Sequence, residues 1–158
     1  TLTANRQNIS IQPFFTLTKF ISMRINQHYM IVKVWEVPGY KVPPPNERLL
    51  KILMSPELGN TDKATVLVSM IPPGGTTGLH THEVDEFMYV ASGRGTQTIE
   101  GKQLPVEPDT LIFAPADVPH EIKNTGDDMI KLVCFYVPPL KPSPTFQKAI
   151  EAAKKALK

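Results

Sequence analysis

The chain reads as an all-β protein, an antiparallel sandwich or barrel, and three observations carry that reading. Sixteen prolines occur among 158 residues, about twice the usual share of ~5%, and they cut the chain at frequent intervals. Between them lie short apolar runs rich in Val, Ile and aromatic residues, each bounded by Pro, Gly, Asn or Asp clusters. Only the last stretch has the alanine-rich composition of a helix. With 41% hydrophobic and 20% charged residues, the chain builds a single core of ordinary domain size.

Taken in order, residues 1–29 mix apolar and polar positions without a clean period. They are read as an N-terminal arm or extension, and His28 stands there apart from other chemistry-bearing groups. A strand is expected from Met30 to Val37, ended by Pro38-Gly39. The proline run from Val42 to Asn46 has no donors for a central strand, and is read as an extended loop over one end of the fold. Strand character resumes at Arg48–Met54, a turn falls over Ser55–Asn60, and a near-continuous apolar strand runs from Ala64 to Ile71. It enters Pro72-Pro73-Gly74-Gly75, where the chain bends. Further strands are expected over Glu86–Val90, Thr96–Ile99, Gln103–Val106, Thr110–Ala114, His120–Lys123 and Met129–Val137. Pro105 places the third of these at a sheet edge. Asn124–Asp128 is read as the turn of a hairpin. After a stiff linker, Ser143 caps and Pro144 starts a helix running through Thr145–Leu157, with Phe146, Ile150, Ala153 and Leu157 on one face to pack on the barrel or on a neighbouring subunit. The domain division is therefore 1–29, 30–140 and 141–158.

Charge and cysteine usage narrow the function. The formal net charge is +2, from 17 basic and 15 acidic residues without a concentrated basic run before the last helix, which does not suggest nucleic-acid binding. A single cysteine, Cys134, allows no intrachain disulfide, and the cytoplasm is the expected location. Charged residues interrupt every apolar run long before the 18 or so residues of a membrane span.

The chemistry sits between Gly74 and Gly93, in GGTTGLHTHEVDEFMYVASG. On a strand His80 and His82 share a face, with Cα atoms about 6.6 Å apart. Glu86 has the same parity, but on a straight strand it lies about 13 Å beyond His82, too far to share an ion through bonds of about 2 Å. The chain must therefore turn at Glu83-Val84-Asp85, forming a hairpin that returns Glu86 to the histidines. His120, after the proline-bounded turn Pro115–Pro119, is the fourth candidate ligand. Glu83, Asp85 and Glu121 are acidic and near, but parity turns them away or leaves them in the turn. Cys134 lies in an apolar strand, as core or as a pocket thiol. Tyr89, Phe113, Phe135, Tyr136 and Met88 line either the barrel interior or an intersheet core.

Gly74, five residues, His80-x-His82, three residues, Glu86, six residues and Gly93 resembles the first motif of the cupin family. Pro115-x-Asp117, His120 and Asn124 are similar to the second, with Asp109 and Asp117 standing where the family usually has glycine. Both are residues that tolerate turn and left-handed backbone. The resemblance covers roughly residues 64–138. It implies a double-stranded β-helix, the jelly-roll barrel, and a metal site of His80, His82, Glu86 and His120. It also implies a homodimer, paired through the N-terminal arm or edge strands.

Three imidazoles and a carboxylate around one divalent transition-metal ion per chain leave a charge of +1 and suit Mn, Fe, Ni, Co, Cu or Zn. Octahedral coordination leaves two open positions for a small-molecule substrate; a closed tetrahedral zinc site is structural. Three classes follow: a metalloenzyme of dioxygenase, isomerase or lyase type on a small polar molecule, a metal-dependent binding or sensing protein, and a metal staple. No general base beyond the ligands stands out.

Overall fold

The computed structural model describes residues 22–24 and 30–156. Most of the expected N-terminal arm, with His28, and Leu157 at the end of the helical stripe lie outside the described residues. Strands β1 (Ser22–Arg24) and β2 (Met30–Val32) form an antiparallel ribbon. The strand expected through Val37 stops at Val32, and a 3-10 turn over Val34–Glu36 replaces its second half. The reason is packing. On a 3-10 turn residues three apart share a face, so Val34 and Val37 both reach the apolar cluster around Leu53 and Val68, while Trp35 is left 76% exposed.

Strand β3 (Tyr40–Val42) pairs with β4 (Arg48–Met54), and the proline run forms the turn between them. The expected loop is thus the turn of a hairpin, and Pro43–Pro45 sit where that turn needs no ladder donors. Then come β5 (Thr65–Ile71), β6 (Asp85–Ser92), β7 (Gly95–Ile99), β8 (Lys102–Val106), β9 (Thr110–Ala114), β10 (His120–Lys123), β11 (Ile130–Val137) and the helix α1 (Pro144–Ala156). A six-stranded sheet in the order β3-β4-β5-β11-β6-β9 and a three-stranded sheet in the order β10-β7-β8 enclose the core as a double-stranded β-helix. β8, with Pro105, is an edge as expected.

Asn124–Asp128 does not close a hairpin. β10 pairs with β7 and β11 pairs with β5 and β6, so this turn carries the chain from the small sheet to the large one. Asn124 holds the crossing. Its buried amide donates to the carbonyls of Ile71 and Asp128, both at 2.8 Å, and its Oδ1 accepts from Gly126 N at 3.0 Å. Gly93 is required where the chain passes β11, because its φ is +79° and a Cβ there would lie 2.6 Å from the Met129 carbonyl oxygen.

Strand parity decides what faces inward. Leu67, Ser69, Glu86, Met88, Leu132, Cys134 and Tyr136 are all buried on the inner face. Tyr89, Phe113 and Phe135 alternate to the outer face and are exposed, which settles the aromatic positions that composition left open. Helix α1 packs on β4 and β3, with Phe146, Ile150 and Ala153 buried. Its cap is the expected one: Ser143 Oγ accepts from Phe146 N at 3.3 Å.

Candidate metal centre

Each of the four candidate ligands arrives from a different local device. His80 and His82 are not on a strand of a hairpin with β6, and that expectation is corrected. The segment from Thr76 to His80 lies instead along β10, bridging Thr76 to Lys123 and His80 to His120, with His80 and His120 exchanging backbone hydrogen bonds at 3.1 and 3.0 Å. The glycines at 74, 75 and 78 prevent a continuous strand, and pairing with β10 satisfies the backbone groups that a loop would otherwise bury unpaired. Thr77 fastens this segment, since its Oγ1 accepts from Ile122 N at 2.9 Å. The bend at Glu83-Val84 then starts β6, and Glu86, second residue of that strand, points into the barrel.

His82 is positioned from the second motif. Asp117 N donates to the His82 carbonyl at 2.7 Å, and Asp117 has φ +62°. Asp109 has φ +68°. Both aspartates therefore adopt the left-handed backbone of the glycines they replace. Asp85 caps the same loop, accepting from Ala116 N at 2.9 Å. Glu121 accepts from the Thr76 hydroxyl. Neither these two nor the exposed Glu83 joins the cluster.

One ligand atom from each of His80, His82, Glu86 and His120 lies within 4.8 Å of every other. Two ligands opposite each other on one ion are about 4.2 Å apart at bonds of about 2.1 Å, so a shift of a few tenths of an ångström seats all four. The ring hydrogen bonds aim the histidines. His80 Nδ1 donates to the Gly78 carbonyl at 2.7 Å and His120 Nδ1 to the Val118 carbonyl at 2.8 Å, which turns each Nε2 toward the cluster. Tyr136 donates its hydroxyl to Glu86 Oε1 at 2.7 Å, leaving Oε2 toward the imidazoles, 2.9 Å from His120 Nε2. His82 Nε2 lies 3.3 Å from the same oxygen but out of line for a hydrogen bond, so it is buried without a partner. A buried, unpartnered imidazole nitrogen facing a carboxylate is what a cation between them would satisfy.

The protonation states match that use. Burial lowers the His80 pKa to about 4, so its ring is neutral at physiological pH. Burial alone would raise Glu86, but the hydrogen bonds from His120 and Tyr136, with the His82 ring close by, outweigh it and hold the carboxyl at about 2. For His120 burial pulls down, while the bonds to Glu86 and the Val118 carbonyl raise it overall. With acceptors at both ring nitrogens, the Nε2 proton of His120 is the one a cation replaces.

The cluster borders a cavity of about 20 Å³ inside the barrel, walled also by Arg48, Ser69, Cys134, Tyr136 and Phe146. Sequence reasoning missed three of these, Arg48, Ser69 and Phe146. Arg48 starts a strand whose next inward residues, Leu50 and Ile52, follow at even spacing, and that parity was legible. Phe146 reaches the cavity from the C-terminal helix, 6.3 Å from the His82 ring and 6.1 Å from the Tyr136 ring, which no local pattern reveals. Cys134 is buried core and cavity wall at once, and burial raises its thiol pKa well above 9.0.

The sequence model of the Cupin domain family matches residues 67–136. Protein SchB of Streptomyces halstedii is 30% identical over 105 residues, which span 64% of this chain and 75% of that protein. The oxalate-binding protein of Thermotoga maritima is 31% identical over 78 residues, 48% of this chain and 64% of that protein, so this chain spans under two thirds of it. Among solved structures, that of a predicted oxalate decarboxylase from Thermotoga maritima aligns with TM-score 0.63 at 24% identity over 69% of this chain and 99% of that one, a likeness of fold.

Proposed function

The chain belongs to the cupin superfamily, and from that premise we propose that it holds one divalent transition-metal ion on His80, His82, Glu86 and His120 and acts as a metalloenzyme on a small, oxygen-rich molecule. The observation that carries the reading is the buried His82 Nε2 without a partner, in a cluster whose four ligand atoms already converge. The donor set is three nitrogens and one oxygen without thiolate, which fits the first-row divalent ions from manganese to zinc. Held there, such an ion would supply Lewis-acid or dioxygen chemistry.

The chain's own residues do the rest. Gly78 and Val118 carbonyls hold the His80 and His120 rings in one tautomer, and Tyr136 holds Glu86 to one free oxygen. Leu50, Leu67, Met88, Leu132 and Phe146 form the apolar part of the cavity wall. The enclosed volume of about 20 Å³ admits one or two water-sized bodies, so any larger substrate, a small acid included, is seated with a shift of the wall. Oxalate is bound by a relative, as its name states, which supports a small substrate. A binding or sensing role is the second reading, favoured by the lack, among the described residues, of a carboxylate or histidine in the cavity wall beyond the candidate ligands themselves.

Loading the purified protein with each of Mn, Fe, Ni, Co, Cu and Zn and screening oxygen consumption and turnover of small dicarboxylates, β-diketones and sugars separates the two. Turnover with one ion is the expected result. Binding without turnover across the panel contradicts the enzyme and leaves the sensor.

A further inference from the structure

We infer that Arg48 makes this site selective for a small carboxylate, its guanidinium taking the acid group while the substrate's other oxygen faces the four-ligand cluster. The inference rests on the metal reading above. Arg48 walls the same cavity as His80, Glu86 and His120. It is partly buried, and its one hydrogen bond to a described residue runs to the Asn46 carbonyl at 3.0 Å. Among the described residues it has no carboxylate within ion-pair distance, whereas Lys33, Lys41, Lys63 and Arg94 each do.

Charge counting makes the case stronger. Among the described residues, Glu86 is the sole carboxylate of the cavity wall. Its two oxygens already accept from Tyr136 on one side and His120 on the other. A divalent ion with Glu86 leaves +1, and Arg48 brings the enclosed charge to +2. Uncompensated charge in a low-dielectric cavity is costly, and the cheapest remedy is an anion. A planar guanidinium presents its donors as a fork that matches a carboxylate at two points. Arg48 is thus a specificity residue: a neutral molecule of the same shape leaves the surplus charge in place. Ser69 Oγ, buried in the same wall without a hydrogen-bond partner, adds a second polar point for the bound acid.

Glycolate and its neutral counterpart glycolamide test this on Co(II)-loaded full-length protein, by calorimetry and by the shift of the cobalt visible bands. Co(II) stoichiometry is measured first. Glycolate is expected to bind at least tenfold more tightly than glycolamide. Arg48→Gln should weaken glycolate at least tenfold, leaving glycolamide and Co(II) stoichiometry unchanged, and Arg48→Lys should recover part of the loss. Equal affinity of the native protein for the two ligands, which needs no variant, overturns the inference, as does an Arg48→Gln protein of full Co(II) content that binds glycolate like the native one. A native protein that takes up no Co(II) overturns the metal reading, and this inference with it, before any acid is added.

Discussion

At the scale of single residues, the site depends as much on the groups behind the ligands as on the ligands. Glu86 is a buried carboxylate, and a buried charge is tolerated only when its lone pairs are used. Tyr136 uses those of Oε1 and so decides which oxygen is left. Groups behind metal ligands commonly cost 10–100-fold in affinity when removed. Tyr136→Phe should accordingly keep one ion per chain but lower metal affinity by about tenfold, read by competition against a chromogenic chelator; unchanged affinity would mean that Glu86 is oriented by the histidines alone. The four residues of the cluster were legible in the sequence because motif spacing is a local property. Tyr136 was not, because its role follows from the antiparallel register that sets Tyr136 opposite Glu86 across β11 and β6.

At the scale of elements, the same limit explains which expectations failed. Strand existence was readable from short apolar runs between turn residues, and β4, β9 and β10 have the expected ends. Partnership was not. The segment from Thr76 to His80 pairs with β10, in the small sheet, and not with β6, in the large one, because after β5 the chain crosses between the two sheets. Val34–Glu36 coils because a tertiary contact, the cluster around Leu53 and Val68, outweighs β propensity. Helix α1 is the element with a function beyond its own stability. Phe146 is buried against the cavity, and Phe-to-Ala changes in such positions cost about 3 kcal/mol or more. Phe146→Ala should lower stability by about 3 kcal/mol in urea denaturation and speed metal removal by EDTA severalfold. A stability loss with an unaltered EDTA rate would show that α1 braces the barrel without gating the site.

At the scale of the whole molecule, the outer face of the large sheet is unevenly covered. On the β4–β5 side the chain's own Val32, Val34 and Val37 lie over it. On the β6–β9 side Tyr89, Leu111, Phe113 and Phe135 are exposed, Leu111 at 68% and Phe113 at 49%, and Phe87 stacks with Phe113 at 5.0 Å between centroids. Apolar area of this kind on adjoining strands is what an interface covers. It offers a face for the homodimer that the resemblance implies, beside the arm or edge strands expected from sequence. Light scattering at micromolar concentration should give twice the mass of the chain, 17.6 kDa, and Phe113→Arg should halve it; a native monomer would exclude the dimer.

On the proposed reading, the barrel and its crossing strands bring His80, His82, Glu86 and His120 together to hold one cation. Elemental analysis of the purified protein beside His80→Ala/His82→Ala, both checked for folding by circular dichroism, tests that claim most directly. The account predicts one transition-metal ion per native chain and none in the folded double variant. Stoichiometric metal retained without the two imidazoles would contradict it.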